Sequence, residues 1–194
     1  MVNLERNGVM LRILLPSCLG FFMAACHPNA GASTQGVVVK LPGTPLTFRS
    51  PKGFKEMGEN EISVYPPRPE MHFRLPKWDA EHVGNNPQLW IGQLPPAEAY
   101  NAKTLDQYMH KRLTPVLLAT TLVSPREISV DGGRAIEYGV LSPVFDGPGP
   151  EVYYEIDFAH DGVIYQCAMT ADPNDYKQYV SIFEDFCSSV HFGK

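Results

Sequence analysis

An α+β fold, an antiparallel sheet flanked by helices, follows from three features of this 194-residue chain. Residues 152–190 read as strand, tight turn, strand and amphipathic helix. A second amphipathic stripe begins after Thr104. The remaining runs are short and alternating, so the order is strands, helix, a meander of strands and a closing helix. A mainly antiparallel sheet covered by helices satisfies that order. With 44% hydrophobic and 19% charged residues, the chain can build one globular core plus a leader.

In chain order, residues 1–25 have the layout of a secretory signal. Positions 13–25 are mostly apolar and follow Arg6 and Arg12. That run is shorter than the roughly 20 residues a membrane span needs, and Pro16 argues against a permanent helix. It closes in Met23-Ala24-Ala25-Cys26, which is similar to the lipobox of bacterial lipoproteins. The similarity implies that Cys26 carries the lipid, palmitate included. An ordinary signal peptide cut near Cys26 is the alternative. Met10 also stands where a natural start would, leaving Met1 and Met10 both open as the first residue.

Residues 26–36 are small and polar, too poor in apolar side chains to order themselves, and read as a flexible tether. His27 rather than Asp follows the anchor. The lipoprotein resemblance then favours the outer membrane, with the domain facing the periplasm of a two-membrane host. Net charge is −5 for the chain; Glu5, Arg6 and Arg12 give the leader +1, so the remainder carries −6. An acidic exported domain is poorly suited to nucleic acid, and no nucleic-acid partner is expected.

Residues 37–194 form the globular domain. Positions 37–40 and 46–49 are β-prone, and Pro51-Lys52-Gly53-Phe54 stops the strand and drops Phe54 back onto the core. A strand is expected over 61–65, with Ile62 and Val64 on one face. Residues 66–87 hold five prolines and are expected to form a long loop. The next strand, 89–94, ends in Pro95-Pro96. Thr104, with Gln107 three residues on, is a capping box, and Leu105, Tyr108, Met109, Leu113, Val116 and Leu117 give a helical stripe. Pro115 should kink or end that helix.

A strand over 122–130, interrupted at Pro125, leads through Asp131-Gly132-Gly133 into a strand over 134–141, and 142–150 form a second loop. Val152, Tyr154, Ile156 and Phe158 then alternate with Tyr153, Glu155, Asp157 and Ala159. Glu155 and Asp157 fall on the polar face, where carboxylates are usually solvated. Asp161-Gly162 is a strong hairpin signal, because both central residues of a type I′ turn need φ > 0. The returning strand carries Val163, Tyr165, Cys167 and Met169 on one face. Asp172 and Pro173 suit a helix start, and Tyr176, Tyr179, Val180, Phe183 and Cys187 form its apolar stripe.

Several of these segments together resemble a known family. LTFRSPKGF, the strand ISVY, the helix entered through Lys103-Thr104-Leu105-Asp106-Gln107-Tyr108, and the close DYKQYVSIFEDFCSSVHF resemble the PsbP-like fold. That family includes the extrinsic photosystem II subunit, a Ran-binding import factor and many small bacterial lipoproteins. The resemblance covers roughly residues 41–192, implies an α/β/α sandwich, and brings no shared chemistry.

Motifs for catalysis are absent. Glu70, His72, Asp79, Glu81 and His82 cluster in the long loop, but their spacing matches no metal site, and they read as solvated. His110 and His160 read as surface residues. There is no GXSXG, no SXXK and no phosphate-binding glycine loop, so neither a metal nor a cofactor is expected. Removing Cys18 with the leader and lipidating Cys26 leaves Cys167 and Cys187, one on a strand face and one on the helix stripe that packs there. A disulfide is expected in an oxidising compartment, with two buried thiols as the alternative.

Phe73, Trp78, Trp90 and Tyr65 lie in or beside the Pro-rich segment. They are either anchors for a protein partner or plugs at the edge of the sandwich. The expected function is a membrane-anchored, non-enzymatic protein-binding or assembly factor. The alternatives are a cell-envelope hydrolase using the loop histidines and carboxylates, and an immunity-type inhibitor of a periplasmic toxin.

Overall fold

The computed structural model describes residues 36–58, 69–76, 86–116, 120–142 and 149–193. The leader, the tether with Cys26, and the expected strand at 61–65 lie outside the described residues, as do Tyr65 and Trp78. Strands β1 (Val38–Lys40), β2 (Leu46–Arg49) and β10 (His191–Phe192) form a small antiparallel sheet in the order β1-β2-β10. The larger sheet contains β3 (Lys55–Glu56), β4 (Glu70–Arg74), β5 (Gln88–Gln93), β6 (Thr120–Val130), β7 (Gly133–Ser142), β8 (Glu151–His160) and β9 (Val163–Ala171). Its order is β3-β4-β5-β9-β8-β7-β6, antiparallel throughout. After β5 the chain leaves the sheet, makes helix α1 (Leu105–Val116), re-enters at the far edge as β6, and meanders back until β9 meets β5.

The turn chemistry works as the dipeptides require. Asp131-Gly132 has φ of 49° and 75°, and Asp161-Gly162 has φ of 50° and 74°, so both hairpins place two residues in the left-handed region. At the start of α1 the Gln107 N–H donates to Thr104 Oγ1 at 3.3 Å. The Gln107 side chain returns to accept the Lys103 N–H at 2.9 Å, one residue earlier than a standard capping box. Register shifts in β6 between Thr121, Val123 and Arg126 bracket Pro125, which has no N–H to give to the ladder.

The larger sheet buries both faces. On one, Tyr154, Ile156, Phe158, Tyr165, Cys167 and Met169 pack with the small sheet and with helix α2 (Val180–Ser188) in the main core. Phe48, Phe73 and Phe186 meet edge to face there, with ring centroids 5.4–6.0 Å apart. Cys167 and Cys187 are disulfide-bonded with a Cα–Cα distance of 5.9 Å, which stitches α2 to β9. On the opposite face, Leu105, Tyr108 and Met109 of α1 pack on Tyr138 and Ile164 in a second, smaller cluster.

Two expectations need correction. The segment 66–87 is no continuous loop, because β4 runs through it. Glu70-Met71-His72-Phe73-Arg74 alternates, with Met71 and Phe73 buried, and the flanking prolines masked that period. The closing helix does not start at Asp172: its Oδ1 accepts the Asn174 N–H at 2.9 Å, and a 3-10 turn, Tyr176–Gln178, precedes α2. In α2, Phe183 and Cys187 of the expected stripe are fully buried, Phe186 joins them, and Tyr176, Tyr179 and Val180 pack partly buried against the main core. His160, with 35% of its side chain exposed, lies at the surface as expected and stacks its ring on Phe192 at 3.7 Å.

Candidate functional site

The sheet face beneath α1 carries the largest buried polar network among the described residues. Strand pairing sets them in rows. His72, Trp90, Ala168, Glu155 and Tyr138 are successive cross-strand partners on β4, β5, β9, β8 and β7. The adjacent row runs Glu70, Gly92, Gln166, Asp157 and Ile136. A period of 2 puts both rows on one face. Gly92 is small for a reason: a Cβ there would lie 2.9 Å from Glu70 Cγ, so the glycine makes room for that side chain.

At the β7–β8 end lies a buried ionic network. Glu155 is 3% exposed and Asp157 is 0%, which overturns the expectation of solvated carboxylates. Arg112 reaches down from α1, and its terminal nitrogen donates to Glu155 Oε1 at 3.0 Å and Oε2 at 3.2 Å. Gln166 Nε2 donates to Glu155 at 3.1 Å and to Asp157 at 3.4 Å. The Tyr138 hydroxyl touches a Glu155 oxygen and lies 2.9 Å from Asp157 Oδ2.

One phenol proton cannot serve two carboxylates. Burial pushes the Asp157 carboxyl up to about 8, and the Glu155 charge next to it pushes the same way. Asp157 is therefore neutral near pH 7, and its own proton completes the second contact to Tyr138. The cluster then holds one anion, Glu155, against one cation, Arg112. Burial likewise drives the Tyr138 and Tyr108 hydroxyls well above their ordinary range, so neither ionises.

The opposite face has a smaller polar set. Glu137, 1% exposed, accepts from Tyr154 Oη at 2.6 Å and from Arg126 Nε at 2.5 Å.

Of the expected partner-binding residues, the two described, Phe73 and Trp90, turn to opposite faces of the sheet. Phe73 is 2% exposed and points into the main core, so it is a core residue, as the alternation of β4 dictates. Trp90 is half-buried on the other face, its ring stacked on His72 at 5.7 Å and 12°. Glu70 pairs with His72 there. Asp79, Glu81 and His82 lie outside the described residues, and no metal-binding group of three occurs among the described ones.

Sequence reasoning missed Arg112, Tyr138, Glu155, Asp157 and Gln166 as a unit. A signal was present. Arg112 stands seven residues after Leu105, on the apolar stripe of α1 itself, so a cation was directed at whatever face the helix covers.

No family model matches the chain, and no curated protein matches it in sequence. Solved structures do match its fold. A point mutant of the protein Mog1 superposes with a TM-score of 0.50 and 15% identity, over 80% of this chain and 95% of that one. A Bacteroides thetaiotaomicron structure gives 0.50 at 11% identity over 82% of this chain, which spans about half, 49%, of that protein. Cyanobacterial PsbP (CyanoP) from Synechocystis gives 0.46 at 14% identity, over 84% and 96%. The chain has an α+β fold like that of Mog1. At these identities the likeness concerns fold alone.

Proposed function

We propose that this protein is a lipoprotein, anchored through Cys26 and facing the periplasm from the outer membrane, that acts as a non-enzymatic binding or assembly factor for a protein partner. The observation that carries the binding role is the half-buried Trp90–His72 stack on β4 and β5. A large amphipathic ring held rigid by a neighbour suits an anchor for another protein. The Asp157 carboxyl, which burial raises to about 8, is by contrast enclosed beneath α1 and committed to Tyr138 and Gln166. The anchor itself rests on the Met23-Ala24-Ala25-Cys26 sequence.

Copurification from crosslinked membranes tests the reading. Wild-type protein is expected to bring down a stoichiometric protein, and Trp90→Ala or His72→Ala to lose it while the thermal midpoint holds. Absence of any partner, with a metal ion in the purified domain, would favour the hydrolase alternative, for which Glu70 beside His72 is the one supporting contact. Cys26→Ser that stays in the membrane fraction would remove the anchor from the proposal.

A further inference from the structure

We propose that the outer face of the small sheet, built from Val38, Lys40 and Arg49 with Val37 at its end, rests on anionic lipid headgroups of the membrane to which the chain is tethered. The inference deepens the proposed function and rests on its membrane anchor. Register defines the face. Val38 pairs with Arg49, and Thr47 pairs with both Lys40 and His191. The alternate residues Val39, Leu46, Phe48 and Phe192 turn into the main core, so Val38, Lys40, Thr47, Arg49 and His191 turn away from it.

Two features distinguish this face. Val37 and Val38 are 76% and 63% exposed, and the only other exposed large hydrophobic among the described residues is Leu122 at 38%, on β6. The outward strand positions of the small sheet carry two cations, Lys40 and Arg49, and no acid, in a chain whose total charge is −5. Apolar side chains beside cations suit a headgroup layer, where the valines enter the boundary and the Lys and Arg heads meet phosphates. Asp131, which meets this face through His191, accepts the Phe192 N–H at 2.9 Å and lies 2.8 Å from His191 Nδ1, and these contacts hold its carboxyl below the ordinary range.

Position favours a bilayer over other occupants. Ten tether residues separate Cys26 from Val37 and span about 17 Å, so this face stays near the bilayer at high effective concentration, where even a weak contact is populated. Strand β1, three residues long and ending in Lys40, is a poor template for pairing with a second copy.

The test couples the mature chain through the Cys26 thiol, the one left free by the Cys167–Cys187 bridge, to maleimide-bearing lipid in vesicles of phosphatidylcholine with or without phosphatidylglycerol. Acylation of lysines is read by mass spectrometry. Lys40 is expected to react more slowly on the anionic vesicles, while Lys177 on the 3-10 turn is unchanged. Arg49→Glu replaces an attraction by a repulsion. At roughly five-fold per charge it should weaken docking roughly 25-fold and restore Lys40 reactivity, as should molar salt. Equal Lys40 reactivity on both vesicles overturns the proposal. So does protection that grows with protein density on neutral vesicles, which would assign the face to a second copy. Because the anchor is supplied chemically, the result is independent of whether cells lipidate Cys26.

Discussion

The two faces of the seven-stranded sheet solve the same packing problem with different chemistry. Beneath α2 the contact is mainly apolar and covalent, with Phe183, Phe186 and Tyr154 packed together, Cys187 bonded to Cys167, and one buried carboxylate, Glu137, held by Tyr154 and Arg126. Beneath α1 a modest apolar cluster shares the interface with Arg112, Glu155, Asp157, Tyr138 and Gln166. Apolar packing is nondirectional, so the α2 face tolerates small shifts. A buried ion pair is stable only where its partners meet, so the α1 face fixes the helix in one place and is vulnerable to the loss of any one member.

The largest effect expected from this contrast is at Arg112. Its removal in Arg112→Ala strands the Glu155 carboxylate in the interior, and equilibrium urea unfolding should show a loss of roughly 3 to 5 kcal/mol. Combining Arg112→Met with Glu155→Gln should recover much of it, because the uncompensated charge is then gone. A cost under about 1 kcal/mol for the single variant would break the comparison. On the other face, Cys167→Ala with Cys187→Ala opens a loop with a sequence separation of 20 and should cost roughly 3 kcal/mol. That cost should stay constant between pH 4 and pH 8, where nothing in the disulfide titrates.

The pH response should come from the α1 face. Asp157 is raised in the fold from 3.8 to about 8, so the native state binds its proton more tightly than the unfolded chain does. Its stabilising contribution is complete below pH 4 and is lost as the pH rises toward 8, by at most about 1.4 kcal/mol per pH unit. Asp157→Asn keeps the donor to Tyr138 and the acceptor for Gln166 without the proton. It should flatten the pH profile, leaving the variant near wild type at pH 4 and more stable than wild type at pH 8. A wild-type profile whose slope survives the substitution would place the titration elsewhere.

How far the sequence could be read differs between the faces in the same way. The α2 face and both hairpins were legible, because period-2 alternation and Asp-Gly turns are local signals. Helix α1 was legible from its stripe and its cap. The burial of Glu155 and Asp157 was hidden, since an alternating strand looks the same whether its polar face meets water or a helix that brings its own cation. Phe73 was misread because prolines on both sides of β4 obscured five alternating residues. The disulfide was legible by elimination once the leader was set aside.

The smallest effect expected is at the entrance to α1, and it sharpens the comparison most. Thr104→Ala removes the acceptor of the Gln107 N–H and, as the loss of an exposed cap, should cost about 1 kcal/mol. If Arg112 is what holds α1 to the sheet, the helix in Arg112→Ala is already loosened, and an N-terminal cap has little native structure left to protect. The double variant Thr104→Ala with Arg112→Ala should then be more stable than the sum of the single losses implies, by about 0.5 kcal/mol or more. Strict additivity in urea unfolding would mean that α1 stays docked through Leu105, Tyr108 and Met109 alone. The ionic network would then select the position of the helix without supplying the stability of its contact.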